Sequence, residues 1–445
     1  MNSKQEQMKN RPIFPLLVSM AVPMMFSMLI QSLYNIIDSI FVARLGNDAL
    51  TAVSLVFPLQ NLVIAIAVGF GIGVSSCISI NLGSKNSKRA SQAATVGIVL
   101  SIVHSILFVI FGLLITKPFL RMFSSNEAII EMGSDYGYIV LCLSFGCLIQ
   151  VCIEKIFQSL GEMSITMIVL AVGAIINIIL DPILIFGMFG FPAMGVTGAA
   201  IATVIGQIAG LVLYLIVLAY KKLPIEISLR NIHFDKPLIK QLYSVGIPSS
   251  IMMSLPSVLV SILNGMLVKF SEVHVSVLGI YYKLQTFIYL PANGIVQGMR
   301  PIVGYNYGAK QKDRLHKTLQ VSILFAAAIM FIGTLLFLFV PTQILELFNA
   351  DAAMLEIGVP ALRIICLGFL ISTFGIIYSG AFEALGMGVQ SLIVSLLRQF
   401  VIIIPLSFIL SRFIGATGIW VSFPISEAIA SIVAIILIRK TLKSI

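Results

Sequence analysis

The 445-residue chain is 59% hydrophobic and only 10% charged, with a mean hydropathy of +1.06. Soluble domains run at about 45–50% apolar and about 25% charged, so a soluble globular protein is excluded and the chain belongs in a bilayer. The net charge of +10 reflects basic residues flanking apolar runs, as expected of a membrane protein's inner-leaflet bias, and implies no nucleic-acid partner.

The first segment, "MNSKQEQMKNRP", is polar, and no cleavable signal peptide follows it. Spanning the hydrocarbon takes roughly 20 mostly apolar residues. Such runs predict twelve helices at 13–43, 50–80, 92–115, 133–159, 164–187, 194–219, 239–268, 276–304, 318–340, 357–383, 389–411 and 415–438. A barrel would instead show shorter, alternating segments. With the N-terminus inside, eighteen Lys and Arg fall in inner loops, Arg230 among them, and five in outer loops (Arg44, Lys117, Arg121, Lys269, Arg412). That split predicts both termini in the cytoplasm.

Sliding the chain on itself by 225 positions aligns its halves. "INLGSKNSKR" at 80–89 lies on "YNYGAKQKDR" at 305–314. Pro23 falls on Pro248, Leu59-Gln60 on Leu284-Gln285, Gly69 on Gly294 and Gly73 on Gly298. "FQSLG" at 157–161 meets "FEALG" at 382–386, and "GVTG" at 195–198 recurs as "GATG" at 415–418 with a slightly different offset. Apolar runs align by chance, but Gly, Pro, Asn and Lys do not, so a true repeat is expected. The fold class is therefore all-α integral membrane, with twelve transmembrane helices in two pseudo-symmetric six-helix lobes. The first lobe is assigned to 1–220, a cytoplasmic linker to 221–238 and the second lobe to 239–445. Six helices per half make the repeat parallel, the build of secondary transporters that rock two bundles around a central site. No P-loop is present to support direct ATP drive.

Acids inside spans are costly and mark function. Here they are Asp38, Glu154, Asp181, Glu383 and Glu427. Asp38 lies in the outer part of the first span, Asp181 at about the same depth in the fifth, and Thr203 and Gln207 level with them in the sixth. Gln31, Tyr34 and Asp38 share a helix face at i, i+3 and i+7, while Asn177 with Asp181 and Thr203 with Gln207 are i, i+4 pairs. Desolvated carboxylates among amides and hydroxyls make a site for a proton or sodium ion; a static hydrogen-bonded knot is the alternative. Glu154 with Lys155 and Gln158 reads as a gate or a snorkelling helix end. Lys283, Arg363 and Arg398 lie in second-half spans, Arg398-Gln399 either lining a second-lobe cavity or pairing with Glu383 or Glu427. Pro23 and Pro248 invite matching bends. Pro23 lies four turns below Asp38, so a bend there would move it. Neither the five cysteines nor the four histidines have metal-ligand spacing, and no metal or cofactor is expected. An intramembrane enzyme would need a nucleophile–base pair or metal cluster, and none is found.

"LYNIIDSIFVARLGNDALTAVS", "NIILDPILIFG", "GVTGAAIATVIGQ" and "GSKNSKRA" together resemble the multidrug and toxic compound extrusion (MATE) family over essentially the whole chain. Within it the chain is similar to the MepA-like and DinF-like bacterial branch. That resemblance implies coupling residues at Gln31, Tyr34, Asp38, Asn177, Asp181 and Thr203. The NorM-like branch adds an acid in the seventh helix, but "GIPSSIMMSLPSVLVSILNG" at 246–265 has none. The resemblance further implies export of bulky, often cationic and aromatic compounds in exchange for protons or sodium, by a monomer in the bacterial cytoplasmic membrane. A lipid or lipid-linked oligosaccharide flippase of the same superfold is the alternative, although an acidic first-lobe site argues against a phosphate-carrying substrate.

Overall fold

A computed structural model describes residues 3–228, 232 and 234–443, so Arg230 and His233 lie outside the described residues. Its helices are α1 (Ser3–Asn10), α2 (Ile13–Ala43), α3 (Asn47–Gly83), α4 (Ser87–Phe123), α5 (Glu127–Cys142), α6 (Phe145–Ser159), α7 (Met163–Phe186), α8 (Gly195–Tyr220) and α9 (Lys236–Leu267). They continue with α10 (Glu272–Gly308), α11 (Lys312–Phe339), α12 (Pro341–Glu346), α13 (Ala352–Ile365), α14 (Phe369–Ala384), α15 (Gly388–Leu396), α16 (Ile403–Ile414) and α17 (Ala416–Lys443). No strand occurs among the described residues.

These helices make twelve spans. Ten are long, apolar and continuous or nearly so, and the α5–α6 pair forms one bent by 42°. The remaining one, α10, is 37 residues long but carries Lys283, Gln285, Asn293, Gln297, Arg300 and Asn306, which lowers its hydropathy. The fourth span, expected as one helix from 133, starts at Glu127 and breaks around Leu143. There the hydrogen bonds tighten from i−4 to i−3, with Ser144 N–H donating to Leu141 at 3.3 Å and Gly146 N–H to Leu143 at 3.3 Å. Its repeat partner breaks correspondingly, as a 3-10 turn at Cys366–Gly368 between α13 and α14. The eleventh span contains a π turn at Leu397–Val401 with no counterpart in the unbroken α7.

The repeat is written into the backbone. Lys85 and Lys310 adopt left-handed φ values of 62° and 55°, and Gly161 and Gly386 values of 80° and 79°. Each closes a helix the same way: Asn86 N–H donates to Asn81 at 2.8 Å and Gln311 N–H to Asn306 at 2.9 Å. Glycines let the lobes touch backbone to backbone. A methyl group on Gly69 would overlap Ser250, and one on Gly294 would overlap Met25; Gly73 meets Leu242 and Gly298 meets Ala21 in the same reciprocal manner. At the ends of α3 and α10, Gly83 abuts Tyr305 and Gly308 abuts Ile80. Ser76 Oγ donates to the Ala384 carbonyl at 3.1 Å, and Arg314 ties α1 to the second lobe through the Met8 and Arg11 carbonyls, both at 2.9 Å. All these contacts lie on the side where α1 and residues 221–228 sit, called the terminal side below.

Charged pairs reinforce that side. Glu383 accepts from Ser249 Oγ at 2.8 Å and is paired with Arg300. The repeat equivalents of Ser249 and Glu383, Met24 and Gln158, are likewise in contact, Gln158 Nε2 lying 3.4 Å from Met24 Sδ. Gln158 also binds Glu154 at 2.7 Å and Lys155 at 3.1 Å, and reaches Gln297 of the other lobe at 3.5 Å. Glu383 is 5% exposed, so Arg300→Met should strand its carboxylate and cost about 3–5 kcal/mol, whereas Arg300→Met/Glu383→Met should restore most of the loss. Thermal melting of the purified protein checks this; a double variant no more stable than the single one would refute it.

Candidate functional site

The site grows from the α7–α8 hairpin. Gly173 and Gly206 face each other so closely that a methyl group on either would sit 3.0 or 2.8 Å from the other's carbonyl oxygen. Small residues at such a crossing let helix backbones approach within the bilayer. One turn along each helix, the approach brings Asn177 against Thr203, with Nδ2 3.4 Å from Oγ1. Turned over, the Asn177 amide donates to Asp181 Oδ2 at 3.2 Å and accepts from the Thr203 N–H at 3.1 Å. Pro182, directly after Asp181, removes one helical hydrogen bond at the same level.

α2 closes the site. The Asp38 and Asp181 carboxyl groups face each other, and Tyr34 lies beside Thr203. Asp181 is 0% exposed, Asn177 3% and Thr203 4%. No salt bridge to either acid occurs among the described residues. Asp38 Oδ1 and Asp181 Oδ1 are both buried without a hydrogen-bond partner. Two facing carboxylates repel, and burial strengthens the repulsion, so the pair is at lower energy holding a proton or cation than holding neither.

Two further residues complete the cluster. The Tyr136 hydroxyl of α5 donates to Gln60 Oε1 of α3 at 3.3 Å and lies in the field of both acids. Gln60 had a sequence signal, its repeat with Gln285; Tyr136 had none.

Other candidates lie elsewhere. Gln31 is exposed and makes no side-chain hydrogen bond among the described residues. Gln207, one turn beyond Thr203, faces Gly146 of α6 instead of the acids. Glu154 belongs to the terminal-side network with Lys155, at 3.0 Å. Arg398 sits in the second lobe beside Glu427, and Glu383, its other possible partner, is taken by Arg300, an arginine absent from the sequence-based candidates. Helix α2 runs unbroken through Pro23, whose carbonyl accepts from Ser27 Oγ at 2.9 Å. Among the described residues no group of three or more His, Cys, Asp or Glu could hold a metal ion.

The family model for MatE matches the chain twice, over residues 23–183 and 248–409, once in each half. The chain belongs to the MatE family. MatE proteins are membrane transporters and not enzymes. Relatives include the "Multidrug export protein MepA" of Staphylococcus haemolyticus, 27% identical over 440 residues, covering 98% of this chain and 96% of the relative. The "Probable multidrug resistance protein YoeA" of Bacillus subtilis is 27% identical over 415 residues, covering 92% and 90%. Among solved structures, an outward-facing multidrug resistance MATE family transporter of the MOP superfamily superposes with a TM-score of 0.91 at 26% identity, covering 98% of both chains. The chain thus sits with the MepA-like MatE proteins.

Proposed function

We propose that this chain is a secondary multidrug exporter of a bacterial cytoplasmic membrane, with its terminal side cytoplasmic, moving organic, often cationic and aromatic compounds outward in exchange for protons or sodium ions. The observation that carries the reading is the facing pair Asp38–Asp181, each with an oxygen buried and unpartnered, on a scaffold whose relatives are named for multidrug export. Lobe contacts on the terminal side correspond to a transporter open outward, closed toward the cytoplasm.

In the cycle, an ion from outside enters between Asp38 and Asp181. Asn177 suits either state: its amide nitrogen faces a charged Asp181, and its oxygen can accept from a protonated one. Filling the site relieves the repulsion between α2 and α7, and α2, able to bend at Pro23, draws in and displaces the bound compound. The lobes then rock, and the ion leaves inward. A proton moving inward gains about 2.3 kcal/mol per 100 mV, which drives an uphill step outward when the exported compound carries less charge than the protons exchanged for it.

Purified protein in liposomes, loaded with ethidium and given either a pH gradient or a sodium gradient, tests this. Uphill dye movement under one gradient and not the other identifies the ion. Absence of movement under both, with folded protein, would sink the exporter reading.

A further inference from the structure

The second lobe carries a polar site that coupling does not use. Arg398 lies ten residues into its span, about 15 Å from the terminal end. Two breaks in regular helix lie beside it, the π turn Leu397–Val401 that holds Arg398 and the 3-10 turn Cys366–Gly368, together with Pro424, which removes one hydrogen bond from the continuous α17. A methyl group on Gly368 would lie 3.1 Å from Pro424 Cα and 3.5 Å from Glu427 Cγ, so these elements enclose one place. Irregular backbone at membrane depth is tolerated where it lines a cavity, and π turns cluster at functional sites. From α10, Tyr281 packs on Phe423, beside Pro424, and on Tyr282, while Tyr289 packs on Phe369, beside Gly368, so these rings border the same place.

The partnering of Arg398 is poor for such a place. It meets Glu427 by one long contact, Nε to Oε1 at 3.5 Å, and makes no hydrogen bond among the described residues. Its side chain is 23% exposed, and Glu427 Oε2 is buried without a partner. A guanidinium offers five N–H donors in a planar fork suited to a carboxylate, and leaving them unused inside a bilayer is costly. Arg300 shows the contrast, engaged by Glu383.

We propose that Arg398 and the tyrosines of α10 that border the same place form a second ligand site, which takes the carboxylate of an aromatic compound in place of Glu427. The guanidinium receives the carboxylate by its fork, and the rings flank the aromatic body. The first-lobe site has two acids and, among the described residues, no cation paired with them to receive that group. The inference rests on the exporter reading only for what the ligand is; binding is measured without transport.

Fluorescence anisotropy of tetramethylrhodamine, which bears a free carboxylate, and of its methyl ester, which does not, tests the proposal on detergent-solubilised protein. Wild type should bind the acid at least about tenfold more tightly than the ester, a difference of about 1.4 kcal/mol. Arg398→Gln should remove that preference, Arg398→Lys should restore part of it, and Glu427→Gln should strengthen acid binding by freeing the guanidinium. A purely structural ion pair predicts weaker binding of both probes in Arg398→Gln and in Glu427→Gln alike. That pattern, a wild type that does not prefer or does not bind the acid, or an Arg398→Gln variant that keeps the preference, overturns the proposal. Arg398→Gln/Glu427→Gln, which leaves no unpaired charge, supplies the comparison should the single arginine variant misfold; loss of acid preference there supports the site and its retention refutes it.

Discussion

Asp181→Asn is expected to reduce ion-driven dye export in liposomes to the rate of protein-free vesicles, a loss of at least about tenfold, while dye binding in detergent changes little. The amide keeps the shape and the contact with Asn177 but can neither take up a proton nor hold a cation as a carboxylate does. Asp38→Asn should do the same, because the two acids share one site. The double variant should be no worse than either single one, since residues acting as a unit are not additive. Full export by either single variant would overturn the coupling role. Losses that multiplied in the double variant would indicate two independent ion sites.

The second large effect concerns closure. Gly308→Val should abolish export, because even the first carbon of a side chain there would overlap the Ile80 carbonyl of the other lobe. Backbone cannot swing aside as a flexible side chain can, so the lobes must part on the terminal side. Gly83→Val, against Tyr305, should act alike. Gly265→Val and Gly279→Val serve as controls, since a Cβ at either position meets nothing within 4 Å. Cys77, 1% exposed on α3 near this contact, reports the event: mass spectrometry should find it labelled by a water-soluble maleimide several-fold faster in Gly308→Val. Normal export by that variant would mean that the α3–α10 crossing is not a closing contact.

Much of this architecture is legible in the sequence because it rests on residues that cannot be exchanged freely. Lys85/Lys310 and Gly161/Gly386 occupy left-handed turns at equivalent positions, and the paired glycines that match at a fixed offset are those where the lobes touch. Asp38 and Asp181 stand out because a carboxylate in an apolar run is expensive. Partnership across helices is less visible. Arg300 reads like a helix-end cation until α10 and α14 bring it to Glu383, and Tyr136 becomes part of the site only through the rotation of α5 beside α3. The break at Leu397–Val401 contains neither Pro nor Gly, and only Gly146 marks the one near Leu143, so little local punctuation announces them; tertiary packing decides them.

The acid pair also bounds the energetics of the whole cycle. Two facing carboxyl groups store at most two protons, and among the described residues of the second lobe no second acid pair faces the interior, Glu427 lying beside Arg398. Exchange of one proton for one monovalent organic cation moves no net charge, so the membrane voltage does no work and the pH difference alone limits accumulation. Exchange of two protons for the same cation moves one charge, and the voltage then adds about 2.3 kcal/mol per 100 mV. Under the proposed coupling with protons as the ion, pump strength is therefore set by how many protons a single pair of aspartates releases per turnover.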